Sequence, residues 1–312
     1  MECLISDSPF SWQEESAICM GNARLQAASL GTLRGCPPSK VDDGNSAPML
    51  YDYDADGNLA SDGHTGFEFS YNILNLPMSA EDSADGRTMT YTYLSDGTKL
   101  KAVSDGGAGL TYRGSFVYGL SSGGGCTLES VATDEGRIVM DGTAVKDEWH
   151  VRDHVGNVRS VVWLNAPAGT SISASILEQN DYLPFGTRLP GSRTDQSNRY
   201  RLGGKEEQDI AGMDLGLLDF GARYYDPWSC QWTAADPLAE KYPGLSPYCY
   251  CGNDPVIYID VNGKEWVKND GTQITDLTKV KVYIFFTDDF RDWKILHKLT
   301  RLWSSKLTPF FC

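Results

Sequence analysis

The sequence has 312 residues, of which 41% are hydrophobic, and its formal net charge is −15. This charge argues against nucleic-acid binding by the chain as a whole, because phosphate contacts need a basic surface. Glycine accounts for 32 residues and tyrosine for 16, and the glycine share exceeds the usual one of about 7%. The composition favours short strands joined by tight turns over a helical protein.

The charge changes sign near the C-terminus. From Lys264 to Cys312 there are nine Lys/Arg and six Asp/Glu, a net charge of +3, whereas the preceding 263 residues carry −18. This step predicts a boundary after Gly263, with a distinct tail at 264–312.

The eight cysteines form no CxxC pair, so the spacing of a zinc site is absent. Scattered thiols and one or two disulfides both remain open. No secretory signal is visible, and no apolar run approaches the ~18 residues of a membrane span. We expect no membrane span, no metal and no cofactor. The chain is also expected to begin partway through a larger protein, because its repeats lack an evident N-terminal cap.

The segment 1–47 has no clear period and is predicted to be irregular. A repeating pattern begins at Tyr51, where YDYDADGNL (Tyr51–Leu59) places aromatic residues two apart before a turn and an apolar return. Aromatic residues that alternate lie on one face of a strand, and the Asp-Gly and Gly-Asn steps supply the backbone conformations of tight hairpins. The pattern predicts a β-hairpin.

Similar units recur along the chain. They are Phe67–Pro77, Tyr91–Val103, Thr111–Gly119 and Trp149–Trp163, the last with its turn at 154–157. One hairpin buries too little area to be stable, so the units are expected to lie side by side over 48–190 in a sheet that curls on itself. A β-sandwich with chance tyrosine spacing is the alternative.

Three of these strings, YDYDADGN, YTYLSDGTKL and RDHVGNVRSVV, resemble the YD repeats of the Rhs family. The segment NDYLPFGTRLP (Asn180–Pro190) resembles the family's YxPFG element. Arg199–Glu265, with GARYYDP, DPLAEKY and CGNDPVIYIDVNGK, resembles the Rhs repeat-associated core, predicted here over 191–263. The DPLAEKY form and Lys264 resemble a Bacteroidetes-type subgroup.

The resemblance implies an all-β fold in which a spiralling shell of YD-repeat hairpins is closed by the core and followed by a short β–α tail. It also implies a polymorphic toxin of bacterial competition, secreted or at the cell surface, whose shell encloses a variable C-terminal effector. The expected partners are its own tail, further YD repeats and an immunity protein. The main body is expected to bind no nucleic acid.

In several members of the family the core cuts the chain just after a DPxG motif, which corresponds here to Gly263. The residues that this resemblance implies as catalytic are Asp236 and Asp260, with Arg223 and Asp226 alongside. Two adjacent carboxylates do not both ionise easily, so one keeps a proton while the other activates water. An arginine nearby stabilises negative charge.

The chain departs from the family at two of these positions. Val261 replaces the proline after Asp260, and Lys264 stands where self-cutting members usually have leucine. The alternative role for Asp236 and Asp260 is structural, because aspartates commonly cap turns by accepting hydrogen bonds from backbone N–H groups.

The tail offers a strand pattern at Lys279–Asp288 and then apolar residues at helical spacing, which predicts an amphipathic helix. A unit this short is too small to be a complete enzyme. Two other functions remain open for the chain: a non-catalytic surface, adhesion or glycan-binding repeat protein, and a degenerate fragment without activity.

Overall fold

A computed structural model describes residues 40–41, 49–142, 144–165, 173–190 and 198–268. They form antiparallel strands with three short 3₁₀ turns at Leu202–Gly204, Ala239–Lys241 and Cys251–Asn253. The predicted all-β fold is confirmed. The predicted tail strand and helix lie outside the described residues.

The larger sheet is a meander in which each strand pairs antiparallel with the next one along the chain. Within the described ranges its fourteen strands are Lys40–Val41 (β1), Met49–Tyr53 (β2), Leu59–Asp62 (β3), Phe67–Tyr71 (β4), Pro77–Asp82 (β5), Thr88–Tyr93 (β6), Lys99–Ser104 (β7), Gly109–Arg113 (β8), Phe116–Leu120 (β9), Cys126–Ala132 (β10), Gly136–Asp141 (β11), Ala144–Arg152 (β12), Val158–Asn165 (β13) and Ser173–Gln179 (β14).

The core segment forms two smaller sheets. The first contains Glu206–Ile210 (β15), Met213–Asp219 (β16), Tyr224–Asp226 (β17) and Gln231–Trp232 (β18). The second pairs Tyr258–Asp260 (β19) with Trp266–Lys268 (β20). The connection between β18 and β19 consists mainly of turns.

The repeat turns are built by aspartate and asparagine side chains. Asp54 Oδ1 accepts hydrogen bonds from the backbone N–H groups of Asp56 and Asn58, and its Oδ2 accepts one from Asn58 Nδ2. Asp153 makes the same three contacts, two with Asn157 and one with Val155. The Asp-x-x-Gly-Asn string therefore specifies the turn through local hydrogen bonds.

The alternating aromatic residues bury one face of the large sheet, as the period-two pattern predicts. Phe67, Tyr91 and Leu110 lie in the same hydrophobic cluster as Leu215 and Leu217 of the smaller sheet. The core segment thus covers the apolar face of the hairpins, because neither layer can bury that face by itself.

A buried ion cluster joins the same two layers. Lys99 Nζ, on β7, lies 2.9 Å from Glu206 Oε2 and 2.8 Å from Asp219 Oδ2. Tyr112 donates a hydrogen bond of 3.0 Å to Glu206 Oε2. Burial disfavours the charge on Lys99, but Asp219 and Glu206 raise the pKa of its ammonium group well above the ordinary value. The cluster therefore contributes only while both layers are in place.

Each hairpin expected from the sequence is present, and 154–157 forms part of the turn between β12 and β13. The hairpin β10–β11 and strand β14 were not predicted. Strand β1 (Lys40–Val41) lies inside 1–47, which was predicted to be irregular, and it pairs with β2. The rest of 1–47 lies outside the described residues.

We predict that Lys99→Met destabilises the protein by about 3 kcal/mol, because it leaves the partly buried Asp219 without its cation and the buried Glu206 with Arg199 alone. The matched control is Lys101→Met, which alters an exposed lysine of the same strand and should stay within about 0.5 kcal/mol of the parent. Urea unfolding of the full chain measures both values. Equal losses in the two variants would contradict the assignment.

Candidate functional site

Arg223 is the centre of the candidate site. It immediately precedes β17, and its side chain is buried. Its Nε donates to the carbonyl oxygen of Gly263 at 2.6 Å, its Nη1 to that of Pro247 at 3.0 Å, and its Nη2 to Asp236 Oδ2 at 3.1 Å. The guanidinium carbon lies 4.1 Å from the centroid of the Trp232 ring. One side chain therefore connects three segments that are distant in the sequence.

The loop after β19 is held by side-chain caps. Asp260 Oδ1 accepts the N–H of Asn262 at 3.1 Å and that of Gly263 at 2.5 Å. Asn262 Oδ1 in turn accepts the N–H of Lys264 at 3.1 Å and that of Glu265 at 3.2 Å. Consecutive side chains of this kind make two overlapping Asx turns, so the peptide between Gly263 and Lys264 has a defined orientation.

Gly263 is required at its position for two reasons. Its φ is +76°, a backbone conformation that glycine adopts at little cost. A Cβ atom there would also lie 2.9 Å from the backbone nitrogen of Arg223 and 3.3 Å from Phe220 Cβ. The close approach brings the Gly263 carbonyl to the guanidinium.

The second carboxylate oxygen of Asp260, Oδ2, takes no part in the hydrogen bonds that Oδ1 accepts from Asn262 and Gly263. Oδ2 is buried and has no hydrogen-bond partner. Burial raises the pKa of Asp260 to about 6, although the Gly263 N–H and Arg223 oppose the shift. Burial thus favours the protonated form of Asp260 relative to an exposed carboxyl group.

Asp236 is the charged partner of Arg223. Its Oδ2 accepts the guanidinium hydrogen bond, and its Oδ1 accepts the N–H of Leu238 at 2.7 Å. The structure thus brings Arg223, Asp236 and Asp260 around Gly263. Turn capping and acid–base chemistry are both compatible with this geometry, since each aspartate caps a turn and also lies beside the arginine.

Asp226, the fourth candidate, lies at the opposite end of β17 from Arg223. Its carboxylate accepts the N–H groups of Trp228 and Ser229. Burial and the neighbouring Asp62 raise its pKa to about 7. Asp62 ends strand β3, so this carboxyl pair belongs to the contact between the hairpin sheet and the core segment.

A cleft of about 140 Å³ opens beside Asp226. His64, Thr65 and Trp228 are among its lining residues, and the rings of His64 and Trp228 stack with centroids 4.1 Å apart. Two buried polar atoms of these residues, Thr65 Oγ1 and Trp228 Nε1, have no hydrogen-bond partner.

Neither Lys205 nor Asn262 was predicted from the sequence to be part of the site. Lys205 Nζ donates to the carbonyl oxygen of Val261 at 2.7 Å, a contact over 56 positions that no local pattern reveals. Asn262 could have been found, because asparagine before glycine favours an Asx turn.

In the described part of the chain, no helix has both the length and the apolar character needed to cross a membrane. No group of three or more metal-ligating side chains was found among these residues.

No family model matches the chain. It is 33% identical over 114 residues to salivary gland surface protein 1 of Aedes aegypti, a match that covers 36% of this chain and 3% of that protein. It is 31% identical over 112 residues to toxin subunit YenC2 of Yersinia entomophaga, covering 33% of this chain and 11% of the subunit. The chain therefore spans a small part of the length of the curated relatives it matches.

Solved structures give a partial overlap. The TcdB2-TccC3-TEV crystal structure aligns with 73% of this chain and 13% of its own, at a TM-score of 0.45 and 19% identity. The Tc holotoxin pore of Photorhabdus luminescens aligns with 73% and 14%, at a TM-score of 0.42 and 17% identity. Overlaps of this quality are too small to transfer any property to this chain.

The parent should lose stability as the pH rises from about 4 to 7. We predict that this loss is smaller in Asp226→Asn. The folded state binds the Asp226 proton more tightly than the unfolded chain does, because the carboxyl pKa rises from 3.8 to about 7 on folding. The contribution of Asp226 to the free energy of unfolding is therefore fully present below a pH of about 4 and is lost as the pH rises to about 7.

The free energy of unfolding, measured by urea denaturation at pH 4, 5.5, 7 and 8, gives the comparison. The difference between parent and variant should change by at least about 2 kcal/mol across this range, since each pKa unit corresponds to about 1.4 kcal/mol. Asp134→Asn, at an exposed residue, is the control. Parallel curves for Asp226→Asn and the parent would refute the assignment of a raised pKa to Asp226.

Proposed function

We propose that this chain is the C-terminal part of an Rhs/YD-repeat protein of polymorphic-toxin type, with a shell of β-hairpins that encloses and presents the variable segment 264–312. Three observations support this: the repeat and core motifs, the continuous hairpin meander, and the sequence similarity to two toxin subunits. The proposal includes the Bacteroidetes-type subgroup, a secreted or cell-surface location, and the tail, further repeats and an immunity protein as partners.

We further propose that the core cuts the bond between Gly263 and Lys264. The observation that carries this proposal is the pair of contacts on one residue: Arg223 Nε donates to the Gly263 carbonyl oxygen, and Asp260 Oδ1 accepts the N–H of the same glycine. A guanidinium at 2.6 Å from a carbonyl oxygen polarises that carbonyl and stabilises the oxyanion that forms when a nucleophile adds.

The two aspartates divide the proton transfers in this proposal. Asp236, ion-paired with Arg223, is the ionised carboxylate that accepts a proton from the attacking water. Asp260, with its raised pKa and free Oδ2, supplies a proton to the nitrogen of Lys264 as the carbon–nitrogen bond breaks. The products are a carboxylate at Gly263 and a new amino terminus at Lys264.

The replacement of proline by Val261 affects how tightly this loop is closed. The N–H of Val261 donates to the carbonyl oxygen of Glu265 at 3.2 Å, and a proline at this position has no N–H to donate. The bond joins the two sides of the cut, so we expect the tail to remain attached to the core after cleavage.

Intact mass of the freshly expressed full chain, followed over days under native and denaturing conditions, tests the cut. We expect fragments 1–263 and 264–312, which co-elute natively and separate in urea. Asp260→Asn and Arg223→Lys should lower the cleavage rate at least about 100-fold, the scale of one lost acid or oxyanion donor. Asp226→Asn, matched in chemistry but distant along β17, should cut at the parental rate.

A chain that stays intact in all variants from pH 5 to 8 would refute self-cleavage while leaving the shell proposal standing. Loss of cutting in Asp226→Asn, with an unchanged thermal melting curve, would instead return Asp226 to the catalytic group.

The alternative function is a non-catalytic surface protein that binds glycans. The cleft beside Asp226 favours it, because the aromatic Trp228 and the polar Thr65 line this cleft, and the similarity to a surface protein agrees. Binding to a glycan array that is lost in Trp228→Phe, together with an uncut chain, would decide for this alternative.

A further inference from the structure

We propose that Asn262 is a modification site: the loop promotes attack of the Gly263 backbone nitrogen on Cγ of Asn262, and the resulting succinimide opens to aspartate or isoaspartate. This proposal does not require self-cleavage, since it rearranges Asn262 and leaves the chain unbroken.

The sequence places a suitable pair of residues here. Asn262-Gly263 is the one asparagine–glycine step in the 312 residues. A five-membered ring forms when the nitrogen after an asparagine reaches that asparagine's Cγ, and glycine offers this nitrogen without a side chain to shield it. In any flexible Asn-Gly peptide, however, the glycine nitrogen can reach the asparagine Cγ. A faster reaction in the folded chain therefore needs a base for the nitrogen and hydrogen-bond donors for the side-chain oxygen.

The structure supplies a base for the attacking nitrogen. The N–H of Gly263 donates to Asp260 Oδ1 at 2.5 Å, the shorter of the two hydrogen bonds that this oxygen accepts. Asp260 is 1% exposed, so water competes little for its carboxylate. In its ionised form, in contrast to the protonated form that the cleavage proposal uses, the Asp260 carboxylate accepts the amide proton as the nitrogen attacks, which is general base catalysis.

The structure also supplies donors for the carbon under attack. Asn262 Oδ1 accepts the N–H groups of Lys264 and Glu265 at 3.1 and 3.2 Å. Negative charge develops on this oxygen when the nitrogen adds to Cγ. Two backbone donors already aimed at it stabilise the tetrahedral intermediate, as an oxyanion hole does.

The peptide that reacts is fixed on both sides. The carbonyl oxygen of Asn262 accepts the N–H of Ala222 at 3.2 Å, and that of Gly263 accepts Arg223 Nε at 2.6 Å. A peptide that is already fixed loses less entropy in ring closure than a flexible one.

The step balances without any oxidant or cofactor. A bond forms between the Gly263 nitrogen and Asn262 Cγ, and the proton of that nitrogen goes to Asp260. The bond from Cγ to Nδ2 breaks, Nδ2 takes the proton from Asp260, and ammonia leaves. Water then adds to one of the two carbonyl groups of the ring, which gives aspartate or, by the other opening, isoaspartate.

The chain contains a matched comparison at Asn72. Its Oδ1 also accepts two backbone N–H groups, from Leu74 at 2.8 Å and Leu76 at 3.1 Å. The following residue is Ile73, which is β-branched and shields its own nitrogen. Asn72 thus has donors for its side-chain oxygen and lacks the unshielded glycine nitrogen.

Peptide mapping of the full chain, incubated at pH 7.4 and 37 °C, gives the rate of amide-to-acid conversion at both sites. A methyltransferase specific for isoaspartate labels the product. We expect conversion at Asn262 to exceed that at Asn72, and to be at least about tenfold faster in the folded chain than in the same chain in urea, because the base and the donors act only in the fold.

Asp260→Asn should lower the folded rate to that measured in urea, whereas Asp134→Asn, which removes an exposed carboxylate outside this loop, should not. A folded parental chain that reacts more slowly than the unfolded one overturns the proposal, because the loop then protects Asn262. This comparison needs no variant and stays valid if Asp260→Asn fails to fold. Cleavage at Gly263 would appear separately as a shorter chain.

Discussion

The arrangement of the core depends on one buried cation. A guanidinium withdrawn from water needs acceptors for its N–H groups, and an unpaired one would be costly. Arg223 finds acceptors on Asp236, Pro247 and Gly263, and burial lowers its pKa while Asp236 and Asp260 oppose that change. Since two of the acceptors are backbone carbonyls of loops, the cation determines where these loops lie as well as how the charge is balanced.

The hairpin sheet and the core segment are joined by different means. Tyrosines and aliphatic side chains supply the apolar contact, in which one layer covers the other. Charged groups then fix their relative position, because Lys99 of the hairpin sheet pairs with Glu206 and Asp219 of the core segment. Asp62 and Asp226 also face each other across this contact, and their proximity together with burial raises the pKa of Asp226.

The hairpins could be predicted because their signals are local: aromatic residues alternate, and Asp-x-x-Gly-Asn closes a turn through its own side chains. The β10–β11 hairpin was not predicted from the sequence, because its strands lack the alternating aromatic residues that mark the other hairpins. The site was predicted only by resemblance. Arg223 and Gly263 are 40 positions apart. Asp226 was named with Arg223 because both belong to the GARYYDP motif of the resemblance, and in the structure its carboxyl group lies near Asp62. Contacts of this range leave no periodic trace in a sequence.

The loop at Asp260 presents one carboxylate to two competing reactions. Hydrolysis of the bond after Gly263 requires a water molecule near the carbonyl carbon, and the surrounding residues Arg223, Asp260 and Trp232 are buried. Succinimide formation needs no water in its first step, since the nucleophile is the Gly263 nitrogen already bound to Asp260 Oδ1. Exclusion of water therefore slows the first reaction without slowing ring closure, and access of water to the Gly263 carbonyl carbon decides which of them this loop carries out.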